Sequence, residues 1–145
     1  MKSIQLVIFK LCGEEYGVNI SKVKEIEPFR EATKLPDIED YIEGIINVRG
    51  DIIGVINMKK RLRLKEHSII PEARTIIVSI GHTEIGFVVD EASEVISVNS
   101  DDIEPVSDMF TSISVKFIEG IAKIGERIVI ILDMNKIFGE IEKSA

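Results

Sequence analysis

The chain contains short runs in which apolar and polar residues alternate. Two such runs, residues 4–11 and 75–80, are each followed by a glycine-containing turn and a return run. Alternation with a period of two predicts a strand with one buried face, and a run, a turn and a return run predict a β-hairpin. Two more hairpins are predicted around the turns at residues 49–51 and 125–127.

Apolar residues recur at helical spacing after each of these later hairpins, in residues 58–64 and 134–141. The two segments directly follow Asn57 and Asp133. Both residue types favour the N-cap position of a helix, because their side-chain oxygens accept hydrogen bonds from free backbone N–H groups. We therefore expect two short helices, one after each hairpin.

The chain also repeats itself. Residues 41–60 align without gaps to residues 117–136, and both copies contain Ile-Glu-Gly-Ile; residues 15–26 align to residues 84–95. The repeat predicts two related halves in which Gly44 superposes on Gly120 and Gly17 on Gly86. Seven extra residues in the second copy fall between Pro105 and Phe117, where we expect a surface excursion with a helical turn at residues 107–109.

These patterns predict a mostly β fold. We expect two SH3-like, five-stranded β-barrel subdomains from an internal duplication, each followed by a short helix, at about residues 1–70 and 71–145 of one domain. The composition agrees, because β-branched Ile (28) and Val (13) far outnumber Leu (6). Neither half has much surface to bury alone, so we expect a third apolar seam between them.

Charge and hydropathy argue against two classes of function, nucleic-acid binding and insertion into a membrane. The net charge of −7 disfavours nucleic-acid binding. No apolar stretch approaches the roughly 20 residues that cross a bilayer, and no secretory signal is apparent. We expect a cytoplasmic protein without direct membrane insertion. The single cysteine, Cys12, excludes an internal disulfide and is expected to be a small buried residue.

Motifs for catalysis are missing from the sequence. There is no Gly-rich phosphate loop and no G-x-S-x-G elbow, and His67 and His82 lack partners at metal-ligand spacing. We therefore expect a binding protein with no enzymatic activity, no cofactor and no metal. The alternative is a small-molecule-binding or enzymatic β-barrel domain, which needs a pocket lined by converging polar groups.

Three segments together carry a family resemblance. Glu-Glu-Tyr-Gly-Val at 14–18, Val-Lys-Glu-Ile at 23–26 and Gly-Ile-Ile-Asn-Val-Arg-Gly at 44–50 resemble the CheW-type chemotaxis coupling proteins. Ile-Glu-Pro at 103–105 and Ile-Leu-Asp at 131–133 extend the resemblance over nearly the whole chain. One departure is Gly54, where the family commonly has proline in a strand that the proline marks as an edge strand.

The resemblance implies a non-catalytic, cytoplasmic adaptor in bacterial chemotaxis. Such proteins bind the cytoplasmic tip of methyl-accepting chemoreceptors and the regulatory domain of the histidine kinase CheA. The 145 residues leave no room for the receiver or ATP-binding domains of related proteins, so we expect a stand-alone adaptor.

Partner-binding residues are expected in two places. A receptor helix needs an apolar groove, for which Ile20, Val23 and Ile26 are candidate wall residues, although ordinary core positions explain them equally well.

The second place is the Asn-x-Arg-Gly hairpin, from Asn47 through Arg49 to Gly50, whose arginine the resemblance associates with partner contacts. Glu25 is expected to approach Arg49 on an exposed face. Glu25 repeats as Glu94, whereas Arg49 aligns with Gly125, so the second half is expected to fold without this pair.

Overall fold

A computed structural model describes residues 2–106 and 113–144. Strands dominate these ranges, and one α-helix follows each of the two later hairpins, so the mostly β prediction is confirmed. The elements are β1 (Ser3–Leu11), β2 (Glu14–Asn19), β3 (Val23–Pro28), β4 (Ile42–Val48), β5 (Asp51–Asn57), α1 (Met58–Arg61), β6 (Arg74–Ile80), β7 (Thr83–Val89), β8 (Glu91–Asn99), β9 (Ile103–Glu104), β10 (Ile118–Ile124), β11 (Arg127–Leu132) and α2 (Met134–Ser144). Short 3₁₀ helices occupy Ile20–Lys22, Ser100–Asp102 and Ile113–Phe117.

The strands form two sheets, and each sheet takes strands from both halves of the chain. The five-stranded sheet has the order β3-β6-β7-β5-β4, and the six-stranded sheet has the order β8-β1-β2-β11-β10-β9. The hairpin β1–β2 thus lies among strands of the second half, and the hairpin β6–β7 lies among strands of the first. Neither sheet therefore corresponds to residues 1–70 or 71–145. The sequence could not predict this, because local alternation predicts a hairpin but not which strands lie beside it.

The exchange of hairpins between the two sheets follows the internal repeat. Gly17 pairs with Ile131 where β2 runs parallel to β11, and Gly86 pairs with Val55 where β7 runs parallel to β5. These pairs are equivalent under the two alignments of the repeat. The predicted equivalence of Gly17 and Gly86 is therefore present in the strand pairing.

The buried apolar residues of the described ranges form three cores. One belongs to the five-stranded sheet, one to the six-stranded sheet, and the third combines residues of both sheets and both helices. Along β1, Leu6 and Ile8 join the core of the six-stranded sheet, whereas Val7 and Phe9 join the shared core. The shared core is the predicted seam, where the rings of Phe9 and Phe87 lie 5.4 Å apart.

Arg61 connects the two halves at this seam. Its guanidinium lies 4.7 Å from the ring centre of Tyr41 and 4.6 Å from that of Phe117, two residues that are equivalent in the repeat. The guanidinium also donates to the backbone carbonyl of Ile137 in α2, at 2.7 and 3.1 Å. Such cation–π contacts and charge-assisted hydrogen bonds are strongest where water is excluded, so Arg61 stabilises the packing of the halves.

The repeated Ile-Glu-Gly-Ile motif has a steric cause. Gly44 has φ +143°, and a Cβ there would lie 2.1 Å from the carbonyl oxygen of Thr33, whose backbone pairs with β4. At Gly120, a Cβ would lie 2.6 Å from Cγ2 of Ile103 in β9. In each half, the segment that follows an edge strand crosses close to the glycine, and only glycine leaves room for it.

One expectation about a single residue is wrong. Cys12 is exposed, because it opens the turn between β1 and β2 with φ +52° instead of continuing the buried alternation. Gly54 had put the edge-strand character of residues 52–56 in doubt, and β5 is indeed an interior strand, since it lies between β7 and β4. The helical turn expected at residues 107–109 lies outside the described residues.

The steric role of Gly44 predicts a large loss of stability for Gly44→Ala. The alanine Cβ would clash with the carbonyl oxygen of Thr33, and alanine disfavours the backbone conformation at this position. Together the two effects should lower the free energy of unfolding by about 2–5 kcal/mol. Gly54→Ala is the matched control: Gly54 lacks a positive φ and a Cβ there meets nothing within 4 Å. This control should gain about 0.4–1 kcal/mol. Urea unfolding measures both, and equal stability of the two variants would contradict the explanation.

Candidate partner-binding surface

The tip of the β4–β5 hairpin is a tight turn with both central residues in the left-handed region. Arg49 has φ +53° and Gly50 has φ +90°, the combination that matches the twist of a two-residue hairpin. The Asn47 side chain stabilises the turn by accepting a hydrogen bond from the Gly50 N–H at 2.9 Å. The backbone carbonyl of Asn47 accepts a second bond, from Arg30, also at 2.9 Å.

Arg49 and Glu25 form the predicted pair. The two terminal guanidinium nitrogens of Arg49 each donate to one carboxylate oxygen of Glu25, both at 3.0 Å, and the Arg49 side chain remains 76% exposed. Glu25 lies on β3, at one edge of the five-stranded sheet, and Arg49 lies at the end of β4, the opposite edge. The ion pair therefore bridges the two edges of this sheet.

The second half also has an arginine–glutamate pair, which sequence reasoning missed, although it joins an interior strand, β11, to the edge strand β8. Gly125 occupies the position equivalent to Arg49, but Arg127, two residues later, forms an ion pair with Glu94 on the edge strand β8. The expectation that the second half folds without an arginine–glutamate pair is therefore wrong. The alignment hid this pair because an arginine side chain is long enough to reach the same glutamate from a neighbouring position.

Arg127 and Arg49 differ in how they are held. Arg127 also donates to Glu15 on β2, through Nε at 3.0 Å and through a terminal nitrogen at 2.5 Å, so it joins three strands. These bonds lower the pKa of the Glu15 carboxyl below its usual range. Arg49 donates to β3 and leaves most of its guanidinium in solvent. Arg127 therefore links strands within the fold, whereas the guanidinium of Arg49 is accessible from solvent.

The three apolar residues proposed as groove walls do not share one environment. Val23 packs against the core shared by the two sheets. Ile20 lies in a 3₁₀ helix and Ile26 lies on β3, and both are exposed. Val23 therefore fits the alternative of an ordinary core position, whereas Ile20 and Ile26 remain accessible.

Another exposed apolar residue stands beside the hairpin tip. Ile52 on β5 is 64% exposed, and its repeat equivalent Ile128 is 62% exposed. The recurrence of this isoleucine in both copies was the available sequence signal. Ile52 borders an open groove of about 290 Å³, lined by Arg30, Glu31, Thr33, Ile45, Ile46, Asn47 and Ile52. We call Glu25, Asn47, Arg49, Gly50 and Ile52 the hairpin surface.

Groups suited to metal binding are not assembled in the described part of the chain. No cluster of three or more His, Cys, Asp or Glu side chains is placed to hold a metal ion within residues 2–106 and 113–144. Within the same ranges no helix has the length and hydropathy needed to cross a membrane. The site is thus a surface of exposed apolar and paired charged groups, which suits binding to another protein.

Comparisons with known proteins agree with a protein that binds other proteins. Residues 5–142 match the family described as CheW-like domain. The chain is 37% identical to the chemotaxis protein CheW of Bacillus subtilis (strain 168), covering 92% of this chain and 85% of that one. It is 32% identical to the chemotaxis protein CheW of Treponema pallidum, covering 99% and 88%.

A solved structure matches as well. The scaffolding protein TtCheW from Thermoanaerobacter tengcongensis superposes with a TM-score of 0.86 at 38% identity, covering 95% of this chain and 89% of that one. These matches place the chain in the class of chemotaxis scaffolding proteins. The chain belongs to the CheW-like domain family.

The Arg127–Glu15 bond predicts a pH-dependent loss of stability in Glu15→Gln. Because the pKa of Glu15 is lowered in the folded state, the carboxylate stabilises the fold above its ordinary pKa of 4.5. That contribution is lost as the pH falls through the lowered pKa. Glu15→Gln should therefore melt below the wild type at pH 7, and the difference should shrink at pH 3.

The neighbouring Glu14 supplies the control, because it is exposed and forms no ion pair with a residue that the structure describes, so Glu14→Gln removes the same charge alone. Melting temperatures from circular dichroism at both pH values measure the effect. A Glu15→Gln deficit that stays constant between pH 7 and pH 3, or that Glu14→Gln shares, would contradict the assignment.

Proposed function

We propose that this protein couples methyl-accepting chemoreceptors to the histidine kinase CheA in the bacterial cytoplasm. The observation that carries the proposal is the match to chemotaxis scaffolds over nearly the whole chain, with a TM-score of 0.86 to one of them. The protein holds the two partners together and performs no reaction itself. It uses no cofactor, and its net charge of −7 argues against a nucleic-acid partner.

Energetics favour a binding role for Arg49 over a folding role. A left-handed backbone costs a residue other than glycine about 1 kcal/mol, and the equivalent residue Gly125 avoids that cost at φ +63°. An exposed ion pair such as Arg49–Glu25 returns about 0–1 kcal/mol. The fold thus gains little from arginine at this position, whereas a buried interface arginine contributes about 2 kcal/mol or more.

The hairpin surface is assigned to the regulatory domain of CheA. In the complex, Ile52 supplies the apolar contact that the partner covers, and the Arg49 guanidinium, already oriented by Glu25, supplies directional hydrogen bonds at its rim. The pairing with Glu25 matters for affinity because it holds the arginine in one conformation before binding. Less side-chain entropy is then lost when the complex forms.

The receptor tip is assigned to the exposed residues Ile20 and Ile26. A helical hairpin binds through an apolar stripe, and these two isoleucines present accessible apolar area next to the shared core that contains Val23. Ile26 directly follows Glu25 on β3, and alternation along a strand directs consecutive side chains to opposite faces. Contacts on opposite faces of β3 allow the adaptor to hold both partners at once.

Arg49→Gly tests the hairpin surface. The variant should keep a free energy of unfolding within about 1 kcal/mol of the wild type, because the lost ion pair and the relieved backbone strain offset each other. Its affinity for the CheA regulatory domain should fall about 30-fold, which corresponds to about 2 kcal/mol. Affinity for a receptor cytoplasmic fragment should change little. Calorimetric titration against each partner separately measures both.

Arg63→Gly is the matched control, because Arg63 is also an exposed, left-handed arginine, with φ +59°, but lies just beyond α1. It should leave both affinities unchanged. An equal loss of affinity in the two variants would show that net charge, and not the position of Arg49, causes the effect. If Arg49→Gly lowers the free energy of unfolding strongly but binds normally, Arg49 has a structural role. A wild-type protein that captures neither partner would refute the coupling function itself.

A further inference from the structure

The strand β8 forms one edge of the six-stranded sheet, and most of it is accessible to solvent. It has nine residues, pairs with β1 on one side and has no described strand on the other. Val95 is 53% exposed there, and Ser97 is exposed as well. A long edge strand pairs readily with another strand unless proline, lysine or a covering segment protects it. β8 contains neither proline nor lysine.

The β1–β2 hairpin determines which backbone groups of β1 point toward β8. Leu11 and Glu14 flank its two-residue turn and form a hydrogen-bonded pair, so every second residue of β1 counted from Leu11 bonds to β2. The residues between them bond on the other side. Lys10 shows this, because its carbonyl accepts from the Asp90 N–H at 3.0 Å, at the start of β8. The even-numbered residues of β1 therefore bond toward β8.

This alternation also determines which backbone groups of β8 point away from the sheet. Ile96 is paired with the even-numbered Leu6, so its N–H and carbonyl are used between β8 and β1. Its neighbours Val95 and Ser97 direct their N–H and carbonyl groups to the free edge. Neither residue has a hydrogen-bond partner for these groups among the described residues. The free edge of β8 thus presents two donors and two acceptors.

The equivalent edge of the first half is blocked. β3 holds the corresponding place in the five-stranded sheet, beside β6. Continued by two residues, the alignment of β3 with β8 places Ser97 at the position of Pro28. The Phe29 N–H donates inward to Ala73 at 3.0 Å, so the preceding nitrogen, that of Pro28, lies on the outward side. Proline has no N–H there, and serine restores one in the second half.

We propose that two copies of this protein associate by pairing their β8 strands in antiparallel orientation. The two six-stranded sheets then form one continuous sheet. A two-fold axis between the Ile96 residues of the two copies lets Val95 of each copy exchange both backbone hydrogen bonds with Ser97 of the other. The resulting four bonds satisfy all the outward groups of Val95 and Ser97 in both copies.

The side chains of this edge also suit a second copy. In the proposed register Glu94 lies opposite Val98 of the second copy, so it does not face another carboxylate. The two Val95 side chains become diagonal neighbours on one face, where each covers apolar surface that the single chain exposes. The edge is therefore complementary to itself in both hydrogen bonds and side chains, which favours a second copy over an unrelated strand.

The size and charge of the interface make the dimer weak. A single pair of strands buries a small area, as in transient interfaces. Glu91 of one copy also approaches the acidic turn Ser100–Asp102 of the other, and each chain carries a net charge of −7. We therefore expect a dissociation constant of about 0.1–1 mM, which added salt lowers by screening this repulsion. The hairpin surface lies on the other sheet, so the dimer does not rest on the proposed function.

Hydrogen exchange of the wild-type chain labelled with nitrogen-15 tests the pairing without a mutation. The amides of Val95 and Ser97 should exchange about two- to threefold more slowly at about 1 mM protein than at about 0.05 mM, because only the dimer protects them. The Ile26 amide faces outward on the blocked edge strand β3 and should exchange at the same rate at both concentrations. Val95 and Ser97 rates that do not depend on concentration would overturn the proposal.

Ser97→Pro tests the open edge, because it introduces the residue of the first half and removes an N–H that the fold does not use. It should abolish the dimer in sedimentation equilibrium at about 1 mM protein. Ser97→Ala is the matched control: it removes the hydroxyl, keeps the N–H and should dimerise like the wild type. Equal behaviour of the two folded variants would contradict the pairing.

A second pair of variants decides the matter if Ser97→Pro does not fold. Val95→Glu replaces an exposed apolar residue and places two like charges across the interface, so it should weaken the dimer at least about tenfold. Ile128→Glu makes the same kind of change at a 62% exposed isoleucine on the interior strand β11 and should have a smaller effect. Equal weakening by the two variants would reject β8 as the interface, and so would a wild type that stays monomeric at this concentration.

Discussion

The exchange of hairpins between the two halves is the constraint on which the rest of the structure depends. Because β1–β2 and β6–β7 are inserted into the opposite sheets, each has strand neighbours on both sides and side chains in two cores. Neither half can complete a sheet from its own strands, so the halves must fold together. Arg61 adds to this dependence by stacking between equivalent aromatic rings and reaching the backbone of α2.

Each sheet has a glycine crossing and an arginine–glutamate pair that hold its edge strand. In each half the segment after the edge strand crosses a glycine, Gly44 or Gly120, and an arginine near a hairpin tip reaches a glutamate on the edge strand. The arginine comes from different sequence positions in the two halves, Arg49 and Arg127. In both halves a guanidinium contacts the glutamate on the edge strand, and the length of the arginine side chain allows more than one sequence position to supply it.

Duplication lets equivalent regions take different contacts. Arg127 is tied into three strands, whereas Arg49 pairs with Glu25 on one strand and stays mostly exposed. Under the proposed coupling function, the tied arginine supports the fold and the exposed one is accessible to a partner.

The sequence by itself determined the hairpins, the two helix starts, the duplication and the family. These depend on interactions between near neighbours in the chain or on patterns that are visible in the residues. It also predicted the approach of Glu25 to Arg49, although these residues are 24 positions apart. Only the tertiary structure decided that the first hairpins change places, that β5 is an interior strand, that Cys12 is exposed and that Arg127 replaces Arg49 in the second half. Strand neighbours and ion pairs join residues far apart in sequence, and an alternating apolar pattern is the same whichever sheet it enters.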